Sequence, residues 1–248
     1  VPSKGRLAAA TTQLLRDAGI AVPGDDRRLL VPVEEQNMEI LLARTDDIPT
    51  LIRDGAADIG VAGGNQLLEH GSAGIELLTE LGFGACRLVL AVPNASSITT
   101  KEQLAGARIA TSHPNVLADY LDANGIAASV VTLSGSIELA PTIGAADAIC
   151  DLVSTGETLR QNSLRAIGEV LRSEAVLLAR TQVTPDPRIA VLQTAVESVL
   201  AARPKRYLML NAPDVALEAI IALLPGLDAP TILPLARSDM HAVHAVVD

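Results

Sequence analysis

Short apolar runs bounded by glycine, proline and small polar residues alternate along this chain with segments whose apolar residues recur three or four apart. These are the patterns of buried strands and amphipathic helices. Leu7, Leu14, Leu15 and Ile20 predict a first helix, ended by Gly19. Residues 28–33 and 38–43 read as paired strands, and Arg44 to Pro49 lead into a helix whose first turn is acidic. Residues 58–64 (DIGVAGG) predict a buried strand, followed by a helix over 65–69. A second series starts at Arg87, with strands over 87–93, 107–111 and 128–133 and helices over 100–104, 115–124 and 137–144. Alternation of this kind with short loops predicts an α/β protein with a parallel sheet in each lobe and ligands in the cleft at the strands' carboxyl ends.

The organising stretch is 146–159, ADAICDLVSTGETL. Ala148, Ile149, Cys150, Leu152 and Val153, interrupted only by Asp151, suit a buried parallel strand. Ser154, Thr155, Gly156, Glu157 and Thr158 then form a hydroxyl-rich turn, and Leu159, Leu164, Ile167 and Leu171 suit a short helix and its exit. A strand–turn–helix of this composition offers backbone N–H groups, hydroxyl donors, a glycine for close approach and the positive end of a helix dipole, which together fit a phosphate. Asp151 would face what the phosphate carries, and a sugar with a vicinal diol would satisfy its carboxylate. The same residues also suit a plain helix cap, with Ser154 or Thr155 capping and Glu157 completing a box. Lys4, Gly5 and Arg6 precede the first helix, where two cations oppose the macrodipole unless an anion visits; a solvated basic pair is the alternative.

Residues 174–179 predict a strand that closes this part, and 181–188 (TQVTPDPR) a linker. A helix over 189–202, a strand over 207–211, a helix over 215–224, the turn Pro225-Gly226-Leu227 and strands over 231–235 and 240–247 follow. This β-α-β-β order resembles part of a ferredoxin-like module; a final helix and strand would complete it after Asp248.

Composition narrows the chemistry. The net charge is −10, and Phe83, Tyr120 and Tyr207 are the only aromatic residues, which argues against nucleic-acid binding and leaves aliphatic walls to hold any nucleobase. No apolar run approaches the roughly 20 residues of a membrane helix, and VPSKGRL is not a signal peptide; a soluble, cytoplasmic protein is expected. Cys86 and Cys150 lie in apolar surroundings and are expected as buried, reduced thiols. His241 and His244, three apart in a predicted strand, would point to opposite faces and make no convincing metal site.

KGRL near the start, the segment 44–49, DGAADIGVAG at 54–63, GFGACRLVLAVP at 82–93, RIATSHPN at 108–115, LSGSIELAP at 133–141 and DAICDLVSTGETL together resemble the ATP phosphoribosyltransferases, and YLMLNAP and LLPGLDAPTILPLA resemble the regulatory domain of the long form. The resemblance implies two periplasmic-binding-protein-like α/β lobes, 1–86 plus 166–182 and 87–165, and an ACT-like, incomplete regulatory domain over 185–248. It implies a Mg²⁺-dependent condensation of ATP with phosphoribosyl pyrophosphate, histidine and AMP as inhibitors, and dimers and hexamers. By the same resemblance, residues 154–158 hold the 5′-phosphate, Asp151 accepts from the ribose hydroxyls, Lys4, Gly5 and Arg6 face the pyrophosphate, Arg44 is a weaker candidate for ATP phosphates, and Glu138 assists at the ribose. Metal ligands are not specified, since Mg²⁺ would arrive mainly on substrate phosphates. His113 stands where Tyr is usual, and Ala118 and Asp119 where basic residues are common. The rivals are a two-lobed binder of a small anion that performs no reaction, and an inactive regulatory paralogue; the binder has no need of both a phosphate nest and a separate KGR pair.

Overall fold

The computed structural model describes residues 1–22, 28–181, 186–224, 229–236 and 239–247. The chain divides into two compact units, Val1–Gln193 and Thr194–Asp248.

In the first unit, α1 (Ala8–Asp17) buries Leu14 and Leu15. The hairpin β1 (Leu30–Val33) and β2 (Met38–Leu41) turns at Asn37, which takes the left-handed conformation. α2 (Ile48–Arg53) carries Pro49 in its first turn; the acidic residues expected in that turn, Asp46 and Asp47, lie instead in the 3-10 turn Thr45–Asp47 that precedes it. β3 (Ile59–Gly63), α3 (Gly64–His70) and β4 (Ile75–Glu80) complete the elements before the chain crosses to a second sheet. There β5 (Cys86–Pro93), β6 (Arg108–Thr111), α4 (Pro114–Ala123), β7 (Ser129–Thr132), β8 (Ala148–Val153), α5 (Glu157–Gln161) and β9 (Leu164–Ser173) follow in turn. The chain returns as β10 (Ala175–Arg180) and enters α6 (Pro187–Ala202). The second unit carries β11 (Arg206–Pro213), α7 (Asp214–Leu223), β12 (Thr231–Pro234) and β13 (Met240–Val247), with β13 central between antiparallel neighbours. That is the expected β-α-β-β order. The predicted turn Pro225-Gly226-Leu227 and linker residues 182–185 lie outside the described residues.

The α/β class holds, but besides the antiparallel β1–β2 hairpin, neither of the two larger sheets of the first unit is purely parallel. β3, β10 and β4 form an antiparallel sheet, because the returning strand β10 inserts between the two that precede the crossing. The second sheet, ordered β7-β6-β8-β5-β9, is parallel from β7 to β8 and antiparallel at β5 and β9. β9 also replaces the helical exit expected at Leu164, Ile167 and Leu171. Its pairing with β5 shifts register twice, at Leu88/Val89 and Leu90/Ala91. Each bulge inserts an unpaired residue, which stretches an alternating pattern toward the three-and-four spacing of a helix. The segments expected as helices over 100–104 and 137–144 are 3-10 turns, Lys101–Leu104 and Ile137–Leu139.

β5 is buried on both faces: Leu88, Leu90 and Val92 pack with Ile109, Leu117 and Cys150 on one side, while Val89 and Ala91 pack with Ile149, Val153 and Leu159 on the other. Both cysteines are buried and free. The two crossings between the sheets are stitched together. Leu81 N–H donates to Ala175 O and Ala175 N–H to Phe83 O, each at 2.9 Å. Gly84 there has φ +68, and a Cβ would overlap Leu7 Cδ2, so the glycine lets the segment before α1 lie against the start of β5.

A buried polar latch joins α3 to the start of α4. Glu69 accepts the N–H groups of Asn115 (3.1 Å) and Val116 (3.0 Å), which are orphan donors of that helix. Asn65 Nδ2 donates to His113 Nε2 at 2.8 Å, and Ser173 Oγ donates to Asn65 Oδ1 at 3.0 Å. Burial holds the His113 imidazole below its usual pKa, in the neutral form that accepts this bond.

Glu69→Ala leaves the buried Val116 N–H and the part-buried Asn115 N–H without their acceptor and is expected to cost about 2 kcal/mol in urea unfolding. Gly84→Ala, which combines a left-handed backbone with overlap at Leu7, is expected to cost about 1–3 kcal/mol. A midpoint unchanged from wild type in either variant contradicts the corresponding contact.

Candidate functional site

The expected turn lies at the end of β8. Ser154 and Thr155 are exposed, and Gly156 takes φ +80 as the residue that precedes α5. The capping box does not form: the Glu157 carboxylate accepts from Arg160 and Gln161 further along the helix, and Thr155 Oγ1 receives the Glu157 N–H at 3.4 Å. The hydroxyls of Ser154 and Thr158 therefore stand at an exposed turn that is closed by no capping box and only by the long Thr155 contact.

Asp151 is two residues from the strand end and half-buried. Burial pushes its carboxyl up to about 6 from 3.8, the Leu152 N–H donated to Oδ1 at 2.8 Å pulls the other way, and the nearby Glu138 carboxylate adds to the rise. Glu138 sits on the 3-10 turn after Ser136, which has φ +53, and Ile137 anchors that turn in the core beside Ile149 and Val153. The two carboxylates thus share one electrostatic neighbourhood.

Because β5 and β8 run antiparallel with Arg87 opposite Val153, the start of one strand lies beside the end of the other. A cavity of about 850 Å³ opens there, lined by Ser154, Ala85, Cys86, Arg87, Arg172 and Ser173 among others. Arg6 reaches its rim: Nη1 donates to the Gly84 and Ala85 carbonyls, and Nη2 lies 3.2 Å from Cys86 Sγ. Gly5 turns the chain there with φ +86. Lys4 and Arg44 are exposed and neighbour each other through the Ser3 N–H to Ala43 O bond of 2.8 Å, but neither lines the cavity. Asp151 and Glu138 do not line it either. Sequence reasoning missed Arg87, Arg172 and Glu169. The first opens the RLVLAVP strand; the other two were hidden by reading β9 as helical. His113 is occupied in the α3–α4 latch, while Ala118 and Asp119 lie on α4.

A family model described as ATP phosphoribosyltransferase matches residues 44–199, and one described as the C-terminal domain of the same family matches 202–248. The ATP phosphoribosyltransferase of Cytophaga hutchinsonii is 42% identical over 249 aligned residues, covering 100% of this chain and 87% of that protein. That of Methanocella arvoryzae is 44% identical, covering 100% and 88%. Among solved structures, the ATP phosphoribosyl transferase (HisG:HisZ) complex from Thermotoga maritima superposes with a TM-score of 0.69 at 28% identity, over 82% of this chain and 96% of that one. The substrate-binding protein of an amino-acid ABC transporter superposes at 0.56 with 14% identity, over 79% and 80%, a likeness of fold alone. Matched by that family's model through both lobes and by relatives along its whole length, the chain belongs to the ATP phosphoribosyltransferase family.

Proposed function

We propose that the protein condenses ATP with 5-phosphoribosyl 1-pyrophosphate to give N1-(5-phosphoribosyl)-ATP and pyrophosphate, the first step of histidine biosynthesis. One observation carries the reading beyond family membership. An open hydroxyl turn ends the strand that holds a half-buried, charge-frustrated carboxylate, beside a cavity rimmed by arginine. Ser154, Thr155, Gly156, Glu157 and Thr158 hold the 5′-phosphate through backbone N–H groups and hydroxyls. Asp151 and Glu138 accept from the ribose 2′- and 3′-hydroxyls, which supplies the donors that burial denies Asp151. Lys4, Gly5 and Arg6 face the departing diphosphate, and Arg44 reaches toward ATP phosphates.

Bond breaking at the anomeric carbon develops oxocarbenium character as adenine N1 attacks with its lone pair, so the protein's part is positioning and charge stabilisation, with no side-chain nucleophile. Asp151 and Glu138 offer hard carboxylate oxygens of the type Mg²⁺ takes. In this reading the ion travels mainly on the substrate's phosphates. Bound there, Mg²⁺ supplies neutralisation of the leaving diphosphate. The second unit is the regulatory domain through which histidine inhibits, with AMP as a further inhibitor, and the working form is a cytoplasmic homo-oligomer, a dimer or hexamer.

Mixing the protein with ATP, phosphoribosyl pyrophosphate and Mg²⁺ is expected to generate the ultraviolet signal of N1-substituted adenine; binding without product would favour the two-lobed binder instead. Asp151→Asn separates function from stability. It is expected to lower kcat/KM for phosphoribosyl pyrophosphate about 10- to 100-fold, the value of a charge-assisted hydrogen bond. In wild type the unfolded carboxyl releases its proton near 3.8 and the folded one near 6, so folding stability falls as pH rises through that window. The variant escapes this loss. Its thermal midpoint should exceed wild type at about pH 7.5 and converge on it below about pH 4; a lower midpoint at both would contradict the burial cost.

A further inference from the structure

Arg87 on β5 and Arg172 on β9 stand directly opposite each other across an antiparallel pair, and Val153 stands opposite Arg87 on its other side. The row Val153, Arg87, Arg172 therefore runs straight away from the residue that precedes the hydroxyl turn. Like charges in opposed positions disfavour a sheet, and a single carboxylate answers both. Glu169 lies 2.8 Å from Arg172 and 3.4 Å from Arg87. Two guanidinium groups against one carboxylate leave an excess cation on the β5–β9 pair itself, in a chain whose net charge is −10. Their side chains are 50% and 79% exposed, and both line the cavity that Ser154 enters. Glu80 of β4 and Glu174 of the return crossing also line it. The second sheet thus contributes both lining arginines, with Glu169 between them, while the other lining carboxylates come from the first sheet and the return crossing, an asymmetry that orients a polyanion toward the β5–β9 side.

We propose that Arg87 and Arg172 form a polyphosphate clamp beside the hydroxyl turn, receiving either the triphosphate of ATP or the diphosphate of the phosphoribosyl donor. This assignment rests on the function proposed above. Guanidinium forks bind phosphate oxygens in bidentate fashion. Releasing Glu169 costs little, because exposed ion pairs are worth about 0–1 kcal/mol. Glu169 holds the two arginines in place and competes with the incoming phosphates.

The test compares wild type, Arg87→Gln, Arg172→Gln and Glu169→Gln as full chains, varying ATP and phosphoribosyl pyrophosphate separately, with inorganic pyrophosphate titrated calorimetrically. Each arginine variant is expected to raise KM for one substrate about tenfold and weaken pyrophosphate binding similarly, with an unfolding midpoint close to wild type. Glu169→Gln is expected to tighten pyrophosphate binding, an effect that a merely structural ion pair would not produce. The substrate whose KM moves identifies which polyphosphate is held. If wild type turns over while both KM values and the pyrophosphate Kd stay within about twofold in both arginine variants, the clamp is overturned. If wild type makes no product, the proposed reaction fails, and the pyrophosphate titration still decides the clamp by itself.

Discussion

The antiparallel pairing of β5 with both β8 and β9 is the constraint on which the site depends. Antiparallel neighbours place the start of one strand beside the end of the next, so Cys86, Val153 and Ser173 gather at one edge of the sheet. From that edge leave the hydroxyl turn, the crossing held by Arg6 and the return strand to the first sheet. A parallel β5 would have delivered the same residues to opposite ends. Burial of β5 on both faces makes the arrangement rigid, since slipping by one residue would exchange the Leu88 and Val89 sets between two filled cores.

The first sheet owes its form to the same route. The chain leaves through Gly82–Ala85 and returns through Ser173–Ala175, and the hydrogen bonds of Leu81, Phe83 and Ala175 tie the two passages side by side. The α3–α4 latch is a second connection, built from side chains, with a carboxylate doing for α4 what a local cap residue does elsewhere. His113 and Asn65 are thereby committed to holding the two sheets' helices together.

Much of this was legible in the residues. β8, its turn and Asp151 follow from a short apolar run that ends abruptly in hydroxyls and glycine, because a strand buried on both faces leaves a continuous apolar signature. What escaped was set by distant parts of the chain. β9 lost its alternation to two bulges, and with it went Arg172 and Glu169. β4 has exposed Leu77 and little alternation of its own. The antiparallel first sheet depends on residues 175–180 inserting between strands 100 residues or so earlier, a pairing no local pattern encodes. Arg6 read as a helix-end cation, and its backbone partners at Gly84 and Ala85 became visible only once the crossing was placed.

The half-buried Asp151 has one more consequence. A carboxylate partly withdrawn from water and answered, among the described residues, by the Leu152 N–H discriminates by what it lacks. Under the proposed chemistry, a 2-deoxyribosyl donor would bring one hydroxyl too few and leave a desolvated negative charge unsatisfied. Sites built around such unmet acceptors reject the missing-hydroxyl analogue far more strongly than apolar pockets reject a missing methylene. The burial that weakens the empty protein would then be what separates ribose from deoxyribose.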